Sequence, residues 1–251
     1  MLFALFCVPD SRGRVQRYHR QYQASAWFVN SQISGKIEIS FSASRTALVS
    51  PNQILQSLIA EQLVSDPNSA RGRLLNEAAR LFRDKGYERT TVRDLAAAVG
   101  IQSGSLFHHF RTKEEILKAV MVETIRLNTA LMQAAADRAG SPRDKLRALI
   151  RTELESINGQ TGEAMAVLVY EWRSLSESSR AEVLKLRDVY EGLWLSVLEE
   201  LSGKGQLKAD PFIVRRMLTG ALSWTVTWYK PERGGLTPDG LTDQVMAMMG
   251  L

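Results

Sequence analysis

Residues 71–117 read RGRLLNEAARLFRDKGYERTTVRDLAAAVGIQSGSLFHHFRTKEEIL, and their punctuation decides the fold. Leu74, Leu75, Ala78, Ala79, Leu81 and Phe82 recur at helical spacing, and Gly86 stands where a C-terminal cap belongs. Thr90 and Thr91 then open a second helix, since a hydroxyl can accept a hydrogen bond from an orphan backbone N–H. That helix is expected to bury Val92, Leu95, Ala96 and Val99 and to end at Gly100, which can take the left-handed turn. Ile101 is expected to plug the turn, and Ser103 to cap a short third helix through about Phe110. Two short helices joined by a tight Gly-containing turn form the helix-turn-helix pattern, whose second helix enters the major groove of duplex DNA.

Charge supports the same reading. The net charge of the 251 residues is +5, and it is unevenly spread. Residues 66–113 hold nine Lys/Arg against five Asp/Glu, whereas residues 114–251 hold seventeen against nineteen. A basic DNA reader beside a mildly acidic second domain is what phosphate attraction requires. The single cysteine, Cys7, rules out an internal disulfide and a Cys-rich metal site, and suits a cytoplasmic protein. No apolar run approaches the roughly 20 residues of a membrane span. The opening MLFALFCV lacks the basic start of a secretory signal, so no membrane or export partner is expected.

Upstream, residues 1–65 form an N-terminal extension expected to be poorly ordered and dispensable for dimerisation and operator choice. Within it, WFVNSQISGKIEISFSAS (27–44) alternates weakly like a strand, and PNQILQSLIAEQLV (51–64) reads as a short amphipathic helix after Pro51. The extension is either a tail from an upstream start or a basic arm adding phosphate contacts. Downstream, helices are expected over 113–138, from Pro142 to Asn158, over 163–174, from Ser178 or Ser179 to Gly203, from Pro211 to Tyr229, and from Asp239 to Met249. That gives about nine helices from Arg71 onward and no strand. The fold class is all-α: a three-helix helix-turn-helix domain (66–113) followed by a helical ligand-binding and dimerisation domain (114–251).

The stretch AARLFRDKGYERTTVRDLAAAVGIQSGSLFHHF, continued by KEEIL, resembles the DNA-binding domain of the TetR family of bacterial transcription regulators. The likeness runs without gaps over about 47 residues. One position departs from it: the family usually has Tyr where this chain has Phe107, so a phosphate-binding hydroxyl is missing. The resemblance implies a homodimeric, one-component regulator, a repressor, that binds a palindromic double-stranded DNA operator and answers to a small-molecule effector.

Two kinds of DNA contact are expected. Base edges fall to Gln102, Ser103, Gly104 and Ser105 at the start of the recognition helix, where Gln can bond adenine bidentately and Gly104 lets the backbone approach. The resemblance puts Thr91, His108, His109 and Lys113 at phosphate positions. Lys113 has its own rationale, because a helix N-terminus and an ammonium both favour anions. His108 and His109 are adjacent and cannot share one helix face, so packing of one of them against the first helix is the alternative to phosphate contact. Phe107 and Phe110 are expected in the core.

The second domain is dense in aromatics over 170–229. Trp172, Arg173, Arg187, Tyr190, Trp194, Trp224 and Trp228 are its candidate ligand-binding residues, since an apolar body with an anionic end needs rings and cations together. The alternative is a dry core in which the arginines pair with Glu171, Asp188 or Glu191. The pieces EWRSL (171–175), RDVYEGLW (187–194), WYKP (228–231) and Gly-Leu-Thr-Pro (235–238) resemble a branch of the family that responds to acyl-CoA thioesters. The rival effector is an uncharged hydrophobic compound, as in regulators of efflux systems. The last two helices, about 211–229 and 238–249, are expected to form the dimer through Met217, Leu218, Ala221, Leu222, Val226, Val245, Met246, Met248 and Met249. No catalytic residues, metal ligands or cofactors are expected: two of three histidines sit in the recognition helix, and no GxSxG, GxxxxGK[ST] or HExxH motif occurs.

Overall fold

The computed structural model describes residues 50–251, Gly234 and the Arg233 side chain excepted, and the expected strand over 27–44 lies outside that range. Ten α-helices and two short 3-10 turns make up the described residues, with no strand among them. Eight of the ten helix starts, all but those at Ser103 and Gly162, follow one rule. A Ser, Thr or Asp takes the cap, its side chain accepts a backbone N–H of the first turn, and Pro often follows at the first helical position. Ser50 caps α1 (Pro51–Ala60), Ser69 caps α2 (Ala70–Lys85), and Thr91 caps α3 (Val92–Ala98). The recognition helix α4 is a single turn, Ser103–Leu106. Thr112 caps α5 (Lys113–Asp137) and Ser141 caps α6 (Pro142–Asn158). After α7 (Gly162–Tyr170), Ser176 caps α8 (Glu177–Gly203), Asp210 caps α9 (Pro211–Trp228) and Thr237 caps α10 (Pro238–Met248). From Ala70 onward there are nine helices, as the punctuation predicts.

The DNA-reading unit is packed by Leu74, Leu75, Ala78, Phe82, Leu95, Leu106 and Phe110, all buried. The larger core gathers around α6, which touches α5, α7, α8, α9 and α10. Leu146, Leu149, Ile150 and Leu154 give α6 buried positions at i, i+3, i+4 and i+8, and they meet Met132, Trp194, Leu198 and Leu222. Each such side chain contributes on the order of 1.5–3 kcal/mol through burial.

Several elements differ from expectation. The helix predicted over 163–174 breaks after Tyr170 and re-forms as a 3-10 turn, Trp172–Ser174. Ser103 is the first residue of α4 rather than its cap; Gln102 holds the cap position and makes no side-chain capping bond. Past Leu106 the chain goes on through i→i+3 bonds, His108 N to Ser105 O at 3.2 Å and His109 N to Leu106 O at 3.0 Å, instead of a helix to Phe110. Ile101 is 37% exposed and does not plug the turn.

Part of the extension expected to be poorly ordered is built into the fold. Residues 50–65 belong to the same compact unit as the rest of the described chain. Ile54, Leu58 and Val64 are buried, and α1 packs against α5. The amphipathic spacing of Ile54 and Leu58 is the cause, since a stripe of this kind has to be covered. Among the described residues, no helix is long and apolar enough to cross a membrane.

Candidate nucleic-acid interface and effector domain

Gly86 and Gly100 have φ of 82° and 71°, the left-handed region that side chains disfavour, and these two turns set α3 against α2 and α4. Thr90 is fully buried and its hydroxyl donates to the carbonyl of Gly86 at 2.9 Å, pinning the turn. Thr91 is exposed at the start of α3. It forms a capping box with Asp94, whose Oδ2 accepts the Thr91 N–H at 2.8 Å while the Asp94 N–H donates to Thr91 Oγ1 at 3.1 Å. The Thr91 N–H and hydroxyl hold the Asp94 carboxyl below its ordinary value.

Around α4, Gln102, Gly104, Ser105, His108 and His109 are exposed and Ser103 is half-buried, so the structure brings this set to one short segment. Both histidines face solvent; neither packs against α2, because the chain has left regular helix by that point. Leu106 and Phe110 fill the core, but Phe107 is 51% exposed, against expectation. Spacing could not show this, because Phe107 and Phe110 are three apart and would share a face of a regular helix, which the chain leaves after Leu106.

Lys113 is placed differently from the others. Its ammonium donates to the carbonyls of Tyr87 at 2.8 Å and Thr90 at 3.0 Å, and sits 4.0 Å from the Tyr87 ring centroid. Two of its three donors therefore tie α5 to the α2–α3 turn, leaving one for a phosphate. Arg71 likewise turns inward, pairing with Glu123 and stacking 4.8 Å over Phe110.

In the helical domain the candidate residues separate into two groups. Trp172, Tyr190 and Trp194 point inward, with the Arg187 guanidinium 5.3 Å over the Trp172 ring. Arg173 is exposed. Trp224 and Trp228 are 52% and 53% exposed on α9, on the stripe that carries Ile213 and Met217, and do not join the inward group. Of the apolar residues expected to form the dimer, Met217, Ala221, Val226 and Met248 are exposed, while Leu218, Leu222 and Met246 are spent on the core of their own chain.

The centre of the domain is a charge cluster. Arg215 on α9 donates to both oxygens of Glu191 at 2.9 and 3.1 Å and lies 3.4 Å from Glu153 Oε2, with its guanidinium 4.2 Å over the Trp194 ring. The Tyr190 hydroxyl donates to Glu153 Oε2 at 2.9 Å. Burial pushes both carboxyls up. For Glu153 this dominates and the net shift is upward, whereas the charge and hydrogen bonds of Arg215 reverse it for Glu191. Burial and the Glu153 charge hold the Tyr190 hydroxyl protonated. The buried indole N–H of Trp194 has no acceptor among the described residues. Glu153 and Glu191 were missed as partners of Arg215, although each interrupts an apolar helix face, which is the readable sign. An open cavity of about 420 Å³ lies apart from this cluster, between the 206–209 turn, Val214 and the C-terminal Met248 to Gly250. Among the described residues no His, Cys, Asp and Glu group could hold a metal ion.

Comparisons with known proteins agree with this architecture. Residues 74–120 match the family described as bacterial regulatory proteins, tetR family, and residues 139–250 match the tetracyclin repressor-like C-terminal domain. The transcriptional repressor KstR2 of Mycolicibacterium smegmatis is 32% identical over 196 residues, 76% of this chain and 94% of its own. A crystal structure described as the superantigen pfit is 55% identical and covers 80% of this chain and 98% of its own, with a TM-score of 0.70. AibR, crystallised with isovaleryl coenzyme A and operator DNA, is 25% identical over 72% of this chain and 98% of its own, with a TM-score of 0.65. With three-helix DNA reader, connecting helix and helical C-terminal domain all in place, the chain belongs to the TetR family of transcription regulators and is not an enzyme.

Proposed function

We propose that the chain is a homodimeric repressor that binds a palindromic operator through residues 66–113 and is released by a small effector held in residues 114–251. The observation that carries the DNA-binding part is the joint exposure of Gln102, Gly104, Ser105, His108 and His109 on one short segment, set beside the capped start of α3 by the two left-handed glycines. Gln102 and Ser105 take base edges in this reading, while Thr91, His108 and His109 take phosphates. Selection from a random duplex pool should return a palindrome with half-site centres about 34–36 Å apart or a multiple of that. Gln102→Ala should change the preferred base at one position by about 1–3 kcal/mol. A selected pool without symmetry, or an unchanged preference in the variant, rejects the assignment. The superantigen description stays with the protein that carries it, because the DNA-reading geometry here stands on this chain's own residues.

For the effector we infer an acyl-CoA thioester. AibR, which shares the domain architecture, was crystallised with isovaleryl coenzyme A. The buried Trp194 N–H is a donor that a thioester carbonyl would satisfy, and Arg187 beside Trp172 supplies positive charge. One observation favours the rival, an uncharged hydrophobe: the most buried cation of the domain, Arg215, is already neutralised by Glu153 and Glu191. Titrating the operator complex with isovaleryl-CoA, longer acyl-CoAs, free CoA and an uncharged hydrophobe separates the two. Release by the thioesters, weakened in Arg187→Ala and Trp194→Phe, is the expected result; release by the hydrophobe alone, with both variants silent, selects the rival.

A further inference from the structure

Residues 50–69 lie outside both stretches matched to the family, and so do residues 121–137 of α5, the surface that receives them. The contact between the two is nonetheless fully built. Ser65 donates its backbone N–H to Glu123 Oε2 at 2.7 Å and its hydroxyl to Glu123 Oε1 at 3.1 Å. Arg71, in the first turn of α2, donates to the same Glu123 oxygen and to the Ser65 hydroxyl. Arg126, one turn further along α5, donates to the Leu63 carbonyl at 2.9 Å. Ile54, Leu58 and Val64 are buried beneath α1. The return to α2 is just as tight, since a Cβ on Gly72 would lie 2.0 Å from the Asp66 carbonyl oxygen. Glu123 is thus a hub: a half-buried carboxylate on the connecting helix that holds the incoming segment and the first helix of the DNA reader at once.

We propose that residues 50–69 act as a strap that fixes the DNA-reading unit to α5 through Glu123, making Glu123 a positioning residue for operator half-site spacing. This rests on the dimeric, palindrome-binding reading above. The physical argument is one of stiffness. A dimer recognises half-site spacing only as sharply as each reader is held to the body that carries it. Apolar packing of α2 on α5 tolerates sliding, whereas charge-assisted hydrogen bonds have defined directions: Lys113 holds the reader at the α2–α3 turn, and Glu123 holds it at the start of α2. With the strap intact, one extra base pair between half-sites, about 3.4 Å and about 35° of rotation, cannot be followed. With the strap broken, the reader swings and follows it.

The test uses the full-length protein and two variants, Glu123→Ala and Gly72→Ala. The first removes the hub; the second pushes the 66–67 backbone away without touching α5. Each protein is titrated with the selected palindrome and with the same duplex lengthened by one base pair between half-sites. The readout is the ratio of the two affinities, in which any inactive fraction of a preparation cancels. Wild type should favour the selected spacing, and both variants should lose about fivefold or more of that preference, the low end of typical coupling between sites. A role in stability alone weakens both duplexes equally, so a ratio unchanged in either variant overturns the proposal. Failure of wild type to select any palindrome overturns the dimeric reading itself, a result seen before either variant is made.

Discussion

Arg215 grips Glu191 through both carboxylate oxygens, at 2.9 and 3.1 Å, with both side chains within 3% of full burial. Glu153 completes the site from α6 at 3.4 Å. Three helices therefore meet on one guanidinium. Removing one member of such a group leaves a desolvated charge behind, which costs far more than the pair itself stabilises. Glu191→Gln should lower unfolding stability by about 3–5 kcal/mol. Glu153→Gln should cost less than about half of that, because its contact is longer and burial already favours its protonated form. Chemical unfolding of the two variants checks the order, and equal losses would show that Arg215 does not prefer Glu191.

The same cluster fixes a pH dependence. The folded Glu153 carboxyl lies above its ordinary value of 4.5, so acidification first protonates it in the native state and adds stability. The folded Glu191 carboxyl lies below 4.5, so its contribution is present above that value and lost as pH falls through its lowered one. Replacing Glu153 by Gln removes the first effect and keeps the second. Relative to Glu153→Gln, wild type should therefore gain stability over the interval from neutral pH down toward 4.5. A wild type that instead loses ground over that interval contradicts the upward shift.

Lys113 should behave as a structural residue more than as a phosphate contact. Its two bonds to the carbonyls of Tyr87 and Thr90 are made by a charged donor in a half-buried site. Lys113→Met should cost about 1.5–3 kcal/mol of stability. The slope of log affinity against log salt should change by less than about 0.9, the step for one lost phosphate contact on duplex DNA. A full step with unchanged stability would restore the phosphate role.

The exposed stripe on α9 tests dimerisation. Met217 is 67% exposed, Ile213 54% and Trp224 52%, spaced at 213, 217 and 224 so that they share one side of the helix. A stable dimer buries upward of roughly 1,200 Å² in total, and a carboxylate at its centre would be left unpaired. Met217→Asp should yield monomers in sedimentation at micromolar concentration, with helicity retained. Trp224→Ala should weaken the dimer; an unchanged dimer with altered effector response would return Trp224 to the ligand site.

What the sequence determined by itself is local. Ser141-Pro142, Asp210-Pro211 and Thr237-Pro238 announce helix starts because a cap and a proline act within one turn. Gly86 and Gly100 announce turns because a positive φ penalises any side chain. From these and the apolar spacing came the helices, the DNA reader and the family resemblance. Which way a given ring faces was decided elsewhere. Trp194 and Trp224 both lie on amphipathic helices, and spacing gives relative faces only; the first is buried because α6 and α9 cover it, the second is bare. Lys113 looked like an anion site by its helix position, yet the carbonyls that accept its hydrogen bonds come from 23 and 26 residues away. Ser65 and Glu123, 58 residues apart, could be paired by no periodicity. Directional bonds between side chains distant in sequence exist only once packing has brought their helices together, and it is those bonds that tie the readable elements into a device.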